Sequence, residues 1–485
     1  MSKTNVVIGL EIHAQLKTET KMFCGCRTSF GDKPNTNVCP VCLGLPGSLP
    51  VANKKAIIFT IMSGLALNCE ISRYSKFDRK QYFYPDMPKN YQISQYDLPF
   101  CRNGYLEFLC DGELRKVRIH RIHLEEDTGK LVHTGDIMES DQSMVDYNRA
   151  GTPLMEIVTE PDISSPKEAK AFMSELRDVL RYLGVSDGNM EEGSMRCDAN
   201  ISLKNPDGTF GTKVEIKNMN SLRSLERALE FEIIRQSEIL DSGGIVIQET
   251  RHFDERDGTT HSLRTKEEAH DYRYFPDPDL LPFVVSDEEI RNISNNIPEL
   301  PLKRYFRFVN EFGINKNDAS VLVSDFKMAN FFDDCVKCNC SPKEAVKWIL
   351  GDLTYFWNEK KLEPDSKVFE PSYLKELLDL IDSNLISIRQ AKEVVEKVFE
   401  MHESPKKITE KLGIKQISDE GFLIDAAKKV IENNPKAVQD FFKGKKNAVG
   451  FLVGQLMKET KGKASPEISN KIINDILNDL KGRES

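Results

Sequence analysis

Apolar and polar residues alternate with a period of two over residues 6–16: Leu10, Ile12, Ala14 and Leu16 fall on one side, and Glu11, His13 and Gln15 on the other. This is the pattern of a half-buried strand, and it sets a carboxylate and an imidazole about 7 Å apart along the chain. Residues 195–203 alternate too, with Arg196, Asp198, Asn200 and Ser202 opposing Cys197, Ala199, Ile201 and Leu203; in residues 213–217, Lys213, Glu215 and Lys217 oppose Val214 and Ile216. Ile122 and Leu124 predict a strand whose other face carries His123 and Glu125, with Glu126 and Asp127 leading into a turn at Gly129. In residues 154–158 a single acid, Glu156, sits among Leu154, Met155, Ile157 and Val158. An unpaired buried carboxylate is costly, so this strand calls for a positive partner: an arginine such as Arg149, or a divalent cation.

Helical periodicity appears after Ser165, an N-cap followed by Pro166, where Ala169, Phe172, Met173, Leu176, Val179, Leu180 and Leu183 form a stripe that stops at Gly184. The apolar run 56–69 contains Thr60, Ser63 and Gly64 and falls short of the roughly 20 residues of a membrane span, so a buried helix is predicted. From about residue 286 strand signals fade and helical ones dominate, which predicts an α+β chain with a boundary between 286 and 295 and a second one near 402–405.

Length and composition fit this outline. At 485 residues, with 39% hydrophobic and 29% charged residues and 26 Phe, the chain is expected to form two to four globular domains. Glu11 and His13 interrupt the N-terminus where a signal peptide needs an apolar centre, so a cytoplasmic location is expected. The net charge of −9 argues against a nucleic-acid partner until its distribution is read. Residues 404–485 hold 16 Lys and Arg against 11 Asp and Glu, and residues 443–463 hold six lysines against the single acid Glu459. Such a run serves either as a solvated helical face or as a phosphate-contacting surface.

The chemistry-bearing residues cluster early. Cys24 and Cys26, then Cys39 and Cys42, lie in a Gly-, Pro- and Asn-rich stretch, the arrangement of a closed four-thiolate zinc site whose role is structural. Cys335, Cys338 and Cys340 lack a nearby fourth ligand. The aromatic and basic segment 76–97 either packs a hairpin or offers Arg79 and Lys80 to phosphate and Tyr82 or Tyr84 to a base. If the polar strand faces line one concave surface, Glu11, His13, Glu125, Glu156, Asp198 and Glu215 are placed to surround Mg²⁺, with Lys and Arg left for phosphate. No G-x-x-x-x-G-K-[ST] loop or G-x-G-x-x-G turn occurs, so nucleotide chemistry here requires another cradle.

Long ordered motifs then carry a resemblance. VIGLEIHAQL, KFDRKQYFYPDMPKNYQISQYD, HLEEDTGK, DYNRAGTPLMEIVTEPD, MEEGSMRCDANISL, TKVEIKNMNS, DYRYFPDPD and GFLVGQLMK resemble the B subunits of the bacterial aspartyl/glutamyl-tRNA amidotransferases from the first strand to the tail. The resemblance implies a large mixed α/β cradle domain built on an antiparallel sheet (1–290), an all-α helical domain (291–403) and a small helical, tRNA-binding tail (404–485). It implies ATP- and Mg²⁺-dependent phosphorylation of the side-chain carboxylate of Glu-tRNA(Gln) or Asp-tRNA(Asn), followed by displacement of phosphate by ammonia. The partners it implies are the A (glutaminase) and C subunits of a heterotrimer, the former supplying that ammonia. Carried onto this chain, Glu11, His13, Glu125, Glu126, Glu156, Asp198 and Glu215 match the acid-rich pocket. Glu11, His13, Glu125 and Glu156 are its Mg²⁺ ligands, Lys80 is a phosphate contact, and the four cysteines match the zinc-bearing members. The alternative is a tRNA-binding scaffold whose buried acids are merely paired to Arg149 and Arg196.

Overall fold

The computed structural model describes residues 6–133, 143–205, 207–265, 272–413, 420–443, 445, 447–460, 464 and 466–484. Asp271 of the DYRYFPDPD motif and Lys446, Lys461 and Lys463 of the basic run lie outside these residues. The chain divides into two compact units, Met1–Arg304 and Tyr305–Ser485.

The first unit opens with β1 (Val6–Gln15), α1 (Lys54–Ala66), β2 (Glu70–Ile71), β3 (Tyr74–Ser75), β4 (Asp78–Gln81) and β5 (Tyr91–Ser94). It continues through β6 (Cys101–Cys110), β7 (Glu113–Glu126), β8 (Lys130–His133), β9 (Ser143–Asp146), β10 (Pro153–Thr159) and α2 (Pro166–Tyr182). The last elements with a bearing on the site are β11 (Met195–Leu203), β12 (Val214–Met219), α3 (Leu222–Asp241), β13 (Glu249–Asp254), β14 (Thr259–Thr265) and β15 (Phe275–Pro276).

Nine strands form one sheet in the order β14-β13-β12-β11-β1-β10-β7-β6-β2. Its pairings are antiparallel except for β12 with β13. A smaller sheet, β15-β4-β5, meets β7 through Ser94 and Ile93 of β5, which donate to Glu125 Oε2 and Glu126 Oε1 at 2.9 Å each.

The predicted period of two decides which side of the sheet is dry. Ile8, Leu10, Ile12 and Ala14 of β1 are buried together with Ile122, Leu124, Met155, Ile157, Cys197, Ala199, Ile201 and Ile216 from neighbouring strands. Against this face lie α1, α2 and α3. The stripe from Ala169 to Leu180 is buried as predicted, with Phe172 meeting Phe108 of β6 edge-on at 5.7 Å. The Ser165 hydroxyl accepts from Glu168 N at 3.1 Å, which starts α2. The apolar run near residue 60 is α1, capped by the Asn53 side chain. The opposite, polar face of the sheet is thereby left to build a site.

The second unit is helical. Near its C-terminal end Leu423, Ala427, Leu452, Leu456, Ile473 and Leu477 form a core of their own. Among the described residues no helix is long and apolar enough to cross a membrane. The whole is an α+β chain, as the patterning predicts.

Candidate active site

The site lies where four strands bring charged side chains into one row. Register sets Arg196 of β11 beside His13 of β1, His13 beside Glu156 of β10, and Glu156 beside His123 of β7. Directly opposed residues of antiparallel strands project to the same side, so the row shares a face, which Glu11 opposite Asp198 extends. Glu125 follows two residues after His123 on that face. His13 Nε2 lies 3.3 Å from Glu156 Oε2, 3.8 Å from Glu11 Oε1 and 4.0 Å from Glu125 Oε1. His123 Nε2 is 3.5 Å from both Glu125 Oε2 and Glu156 Oε2.

The partner of Glu156 is therefore not Arg149. Two imidazoles meet this carboxylate, with Arg121 Nη2 at 3.5 Å. Arg149 instead donates to Thr128 O at 2.9 Å and Gly129 O at 2.7 Å, and stands 3.6 Å from Asp127. Arg196 Nη2 donates to Asp127 Oδ1 at 2.7 Å, and Gln15 Nε2 to its Oδ2 at 2.7 Å. The two arginines that a scaffold reading assigns to the whole acid cluster are both engaged by one neighbouring acid.

The electrostatics show how strongly burial and neighbouring charges act on the cluster. Burial opposes a charge on His13, yet the hydrogen bond and charge of Glu156, with Glu125 and Glu11, push its pKa up to about 9. Burial, together with the Glu156 charge, pushes the Glu11 carboxyl up. Glu156 moves the other way: burial would raise it, but His123, His13 and Arg121 hold it well below the usual carboxylate range. Glu125 is also lowered, because the His123 hydrogen bond and Lys80 outweigh burial and the Glu156 charge. Asp198 and Glu215 share Lys217, 3.2 Å from Glu215 Oε1.

Two groups of ligand atoms come within 4.8 Å of one another: Glu11 with His13 and Asp198, and His13 with Glu125 and Glu156. Both use His13. A donor set rich in carboxylate oxygen, in which burial and then the Glu156 charge disfavour the Glu11 carboxylate, fits a hard divalent cation, which would favour the ionised form.

Adjacent residues on a strand face opposite ways, and this divides two predicted pairs. Glu126 is not part of the row; its carboxylate is taken by Lys89 and by Ile93 N, in a cavity lined by Lys21, Cys24, Cys42, Lys89 and Gly151. Arg79 is likewise engaged elsewhere, with Asp277 at 2.8 Å and Asp279 at 2.9 Å, its guanidinium over Tyr91. Lys80 faces the cluster: burial would lower its pKa, but Glu125, Tyr274, Tyr272 and Glu156 raise it, and Nζ sits 4.8 Å from the Tyr272 ring centroid. Glu215 adjoins the site through Lys217 without entering either ligand group.

Arg121 was missed in the sequence, although the alternation that selects His123 and Glu125 selects it as well. Lys21 and Lys89 carry no such signal, and Asp127, named only as the start of a turn, did not reveal its partners, because these come from distant segments.

The four predicted cysteines meet: Cys24, Cys26, Cys39 and Cys42 place their sulfurs within 4.8 Å of one another. A tetrahedral zinc with Zn–S of about 2.3 Å needs sulfurs about 3.8 Å apart, so the set fits that ion. Cys42 accepts a hydrogen bond from the Cys24 thiol, and others from Cys39 N and Lys21, which hold its pKa at about 4 despite burial.

Fold and face together define a catalytic domain of carboxylates and histidines set on a mixed sheet beside a cysteine loop. The family model described as the GatB/GatE catalytic domain matches residues 6–291, and one described as the GatB domain matches residues 330–477. The chain is 52% identical to the B subunit of the aspartyl/glutamyl-tRNA(Asn/Gln) amidotransferase of Caldanaerobacter subterraneus subsp. tengcongensis, over 97% of this chain and 98% of the relative. It is 52% identical to the protein of that name from Thermodesulfovibrio yellowstonii and 51% identical to that from Persephonella marina, each over 96% of this chain and 98% of the relative. The chain belongs to the GatB family.

Proposed function

We propose that this chain is the transamidating component of a tRNA-dependent amidotransferase, acting on Glu-tRNA(Gln), Asp-tRNA(Asn) or both. The observation that carries the reading is the convergence of Glu11, His13, Glu125, Glu156 and Asp198 on one sheet face, with their ligand atoms in two groups that share His13. The substrate carboxylate oxygen attacks the γ-phosphorus of ATP, and ADP leaves. Ammonia then attacks the acyl carbon, phosphate leaves, and the amide remains after proton loss. Mg²⁺, when bound, neutralises phosphoryl charge and orients the leaving group. Of the residues in the row, Glu11, His13, Glu125, Glu156 and Asp198 would hold it, while Glu215 fixes Lys217 beside them. Lys80 supplies a cation toward the transferred phosphoryl group. Arg79 and Glu126 act from outside the pocket by holding its walls.

The four cysteines would hold a structural zinc. The ammonia comes from a partner glutaminase, and a third polypeptide completes a heterotrimer in the cytoplasm. Of three domains, 1–290, 291–403 and 404–485, the first carries catalysis and the helical and tail domains bind tRNA; the separate hydrophobic core around Leu452 supports the last division. The test uses the assembled complex, Glu-tRNA(Gln), ATP labelled at the γ-phosphate, Mg²⁺ and ammonium. Glu125→Ala is expected to abolish both phosphate release and Gln-tRNA formation while tRNA binding and glutaminase activity persist. Retention of both activities would return the chain to a scaffold role.

A further inference from the structure

Lys21 is 1% exposed and is among the largest fully buried side chains in the protein. Among the described residues no carboxylate stands within ion-pair distance of it. Its ammonium instead faces Cys42 Sγ at 3.6 Å and Tyr147 O at 3.1 Å. A lysine buried this deeply needs negative charge nearby; the Glu126 carboxylate lines the same cavity but is taken by Lys89, and the thiol cluster is the group that Lys21 itself contacts. Four thiolates around Zn²⁺ carry a net charge of −2, so the centre in turn requires a cation.

The other acceptor leads towards the active site. Tyr147 O also receives Ala150 N at 3.1 Å, which closes a turn, and Met22 N, next to Lys21, donates to Gly151 O at 2.7 Å. Gly151 N donates to Asp127 O at 2.9 Å, and Asp127 N to Thr152 O at 2.8 Å. Gly151 has φ +87°, and a Cβ there would sit 3.4 Å from Lys21 Cδ and 3.6 Å from Cys42 Cβ. The turn is thus packed directly on the lysine stem and the cysteine loop. Asp127 then grips Arg196 and Gln15, which flank His13 across and along the sheet.

We propose that Lys21 is the counter-cation of the four-thiolate centre and the positioning residue through which zinc occupancy fixes the turn at 147–152, and with it Asp127. Lys21 touches no reacting atom. The inference rests on the zinc reading of the four cysteines, and the experiment separates the two.

Lys21→Met keeps the stem and removes the charge. In the full chain, assembled with its partners, zinc affinity is measured by chelator competition and amide exchange is followed at Asp127, Gly151 and Thr152. Expected are at least about a tenfold loss of zinc affinity, faster exchange at all three amides, and a lower kcat with KM for ATP little changed. Lys21→Arg restores zinc affinity. Wild type stripped of zinc shows the same faster exchange, and Lys21→Met then adds nothing to it. Wild type that binds no zinc overturns the metal reading and this inference together. Zinc-loaded wild type with unchanged affinity or exchange in Lys21→Met overturns this inference alone. If Lys21→Met does not fold, unchanged exchange in stripped wild type overturns it.

Discussion

Two buried acids less than one strand apart are neutralised in opposite ways. Asp127, 2% exposed, is gripped by Arg196, Gln15 and Arg149, groups that stay charged or dipolar at any physiological pH. Glu156, 6% exposed, is met by His13, His123 and Arg121; it shares both imidazoles with Glu125 and shares His13 with Glu11 as well. The first arrangement is complete and holds the sheet. The second shares its cations among several acids, and in the function proposed above a metal ion and the phosphorylated substrate join it. An acid's burial does not reveal its role, whereas the kind of cation that meets it does.

Removing each acid should separate the two. Glu11→Gln, in the second arrangement, is expected to reduce transamidation about a thousandfold, equivalent to about 4 kcal/mol of transition-state stabilisation, with folding stability unchanged or improved because burial and the Glu156 charge already disfavour its carboxylate. Steady-state kinetics beside denaturant unfolding would show this; a large stability loss would merge the two regions. Asp127→Asn is expected to do the reverse first, destabilising by about 2 kcal/mol because the buried carboxylate gives up its bonds from Arg196 and Gln15 while the 38% exposed Arg196 is partly screened by water, as read from denaturant midpoints.

Gly151→Ala sharpens the boundary between them. A φ of +87° disfavours any Cβ, so a loss of about 1–2 kcal/mol is expected, with zinc released more easily. The smallest effect is in the pH profile. His13 has its pKa raised from 6.5 to about 9, so its contribution to the metal-free fold is complete below about 6.5 and is lost as pH rises through 9. Asp127 has a lowered pKa, since Arg196 and Arg149 outweigh burial; its contribution is present above about 4 and is lost on acidification. Denaturant unfolding from pH 3 to 10 should show both limbs, and His13→Gln should erase the alkaline one only.

Much of this was readable before the fold was known. Strict alternation placed Glu11, His13, His123, Glu125 and Asp198 on polar faces, and β1, β10 and β11 turned those faces the same way. Parity also marks where such reading stops. Glu125 and Glu126 are adjacent, as are Arg79 and Lys80, so only one of each pair can enter the pocket; which one depends on pairing with residues such as Asp277 nearly two hundred positions away. The single acid of β10 announced that a cation was needed without naming it, since His13 and His123 reach Glu156 only through register. Lys21 stayed silent because its meaning comes from Cys42 and Tyr147 together.

The position of β1 has a consequence for synthesis. The strand is made well before its partners, yet it lies inside the sheet between them, and β10 and β11 end at Thr159 and Leu203. At roughly 5–20 residues per second, on the order of 10–40 s pass before both edges can be covered. During that interval a nascent strand with two open edges is a template for misassembly. Glu11 and His13, alternating with its apolar residues, keep one side of it polar throughout the wait. The same two side chains that face the acid cluster in the folded sheet therefore also leave one side of the strand polar while the chain is being made.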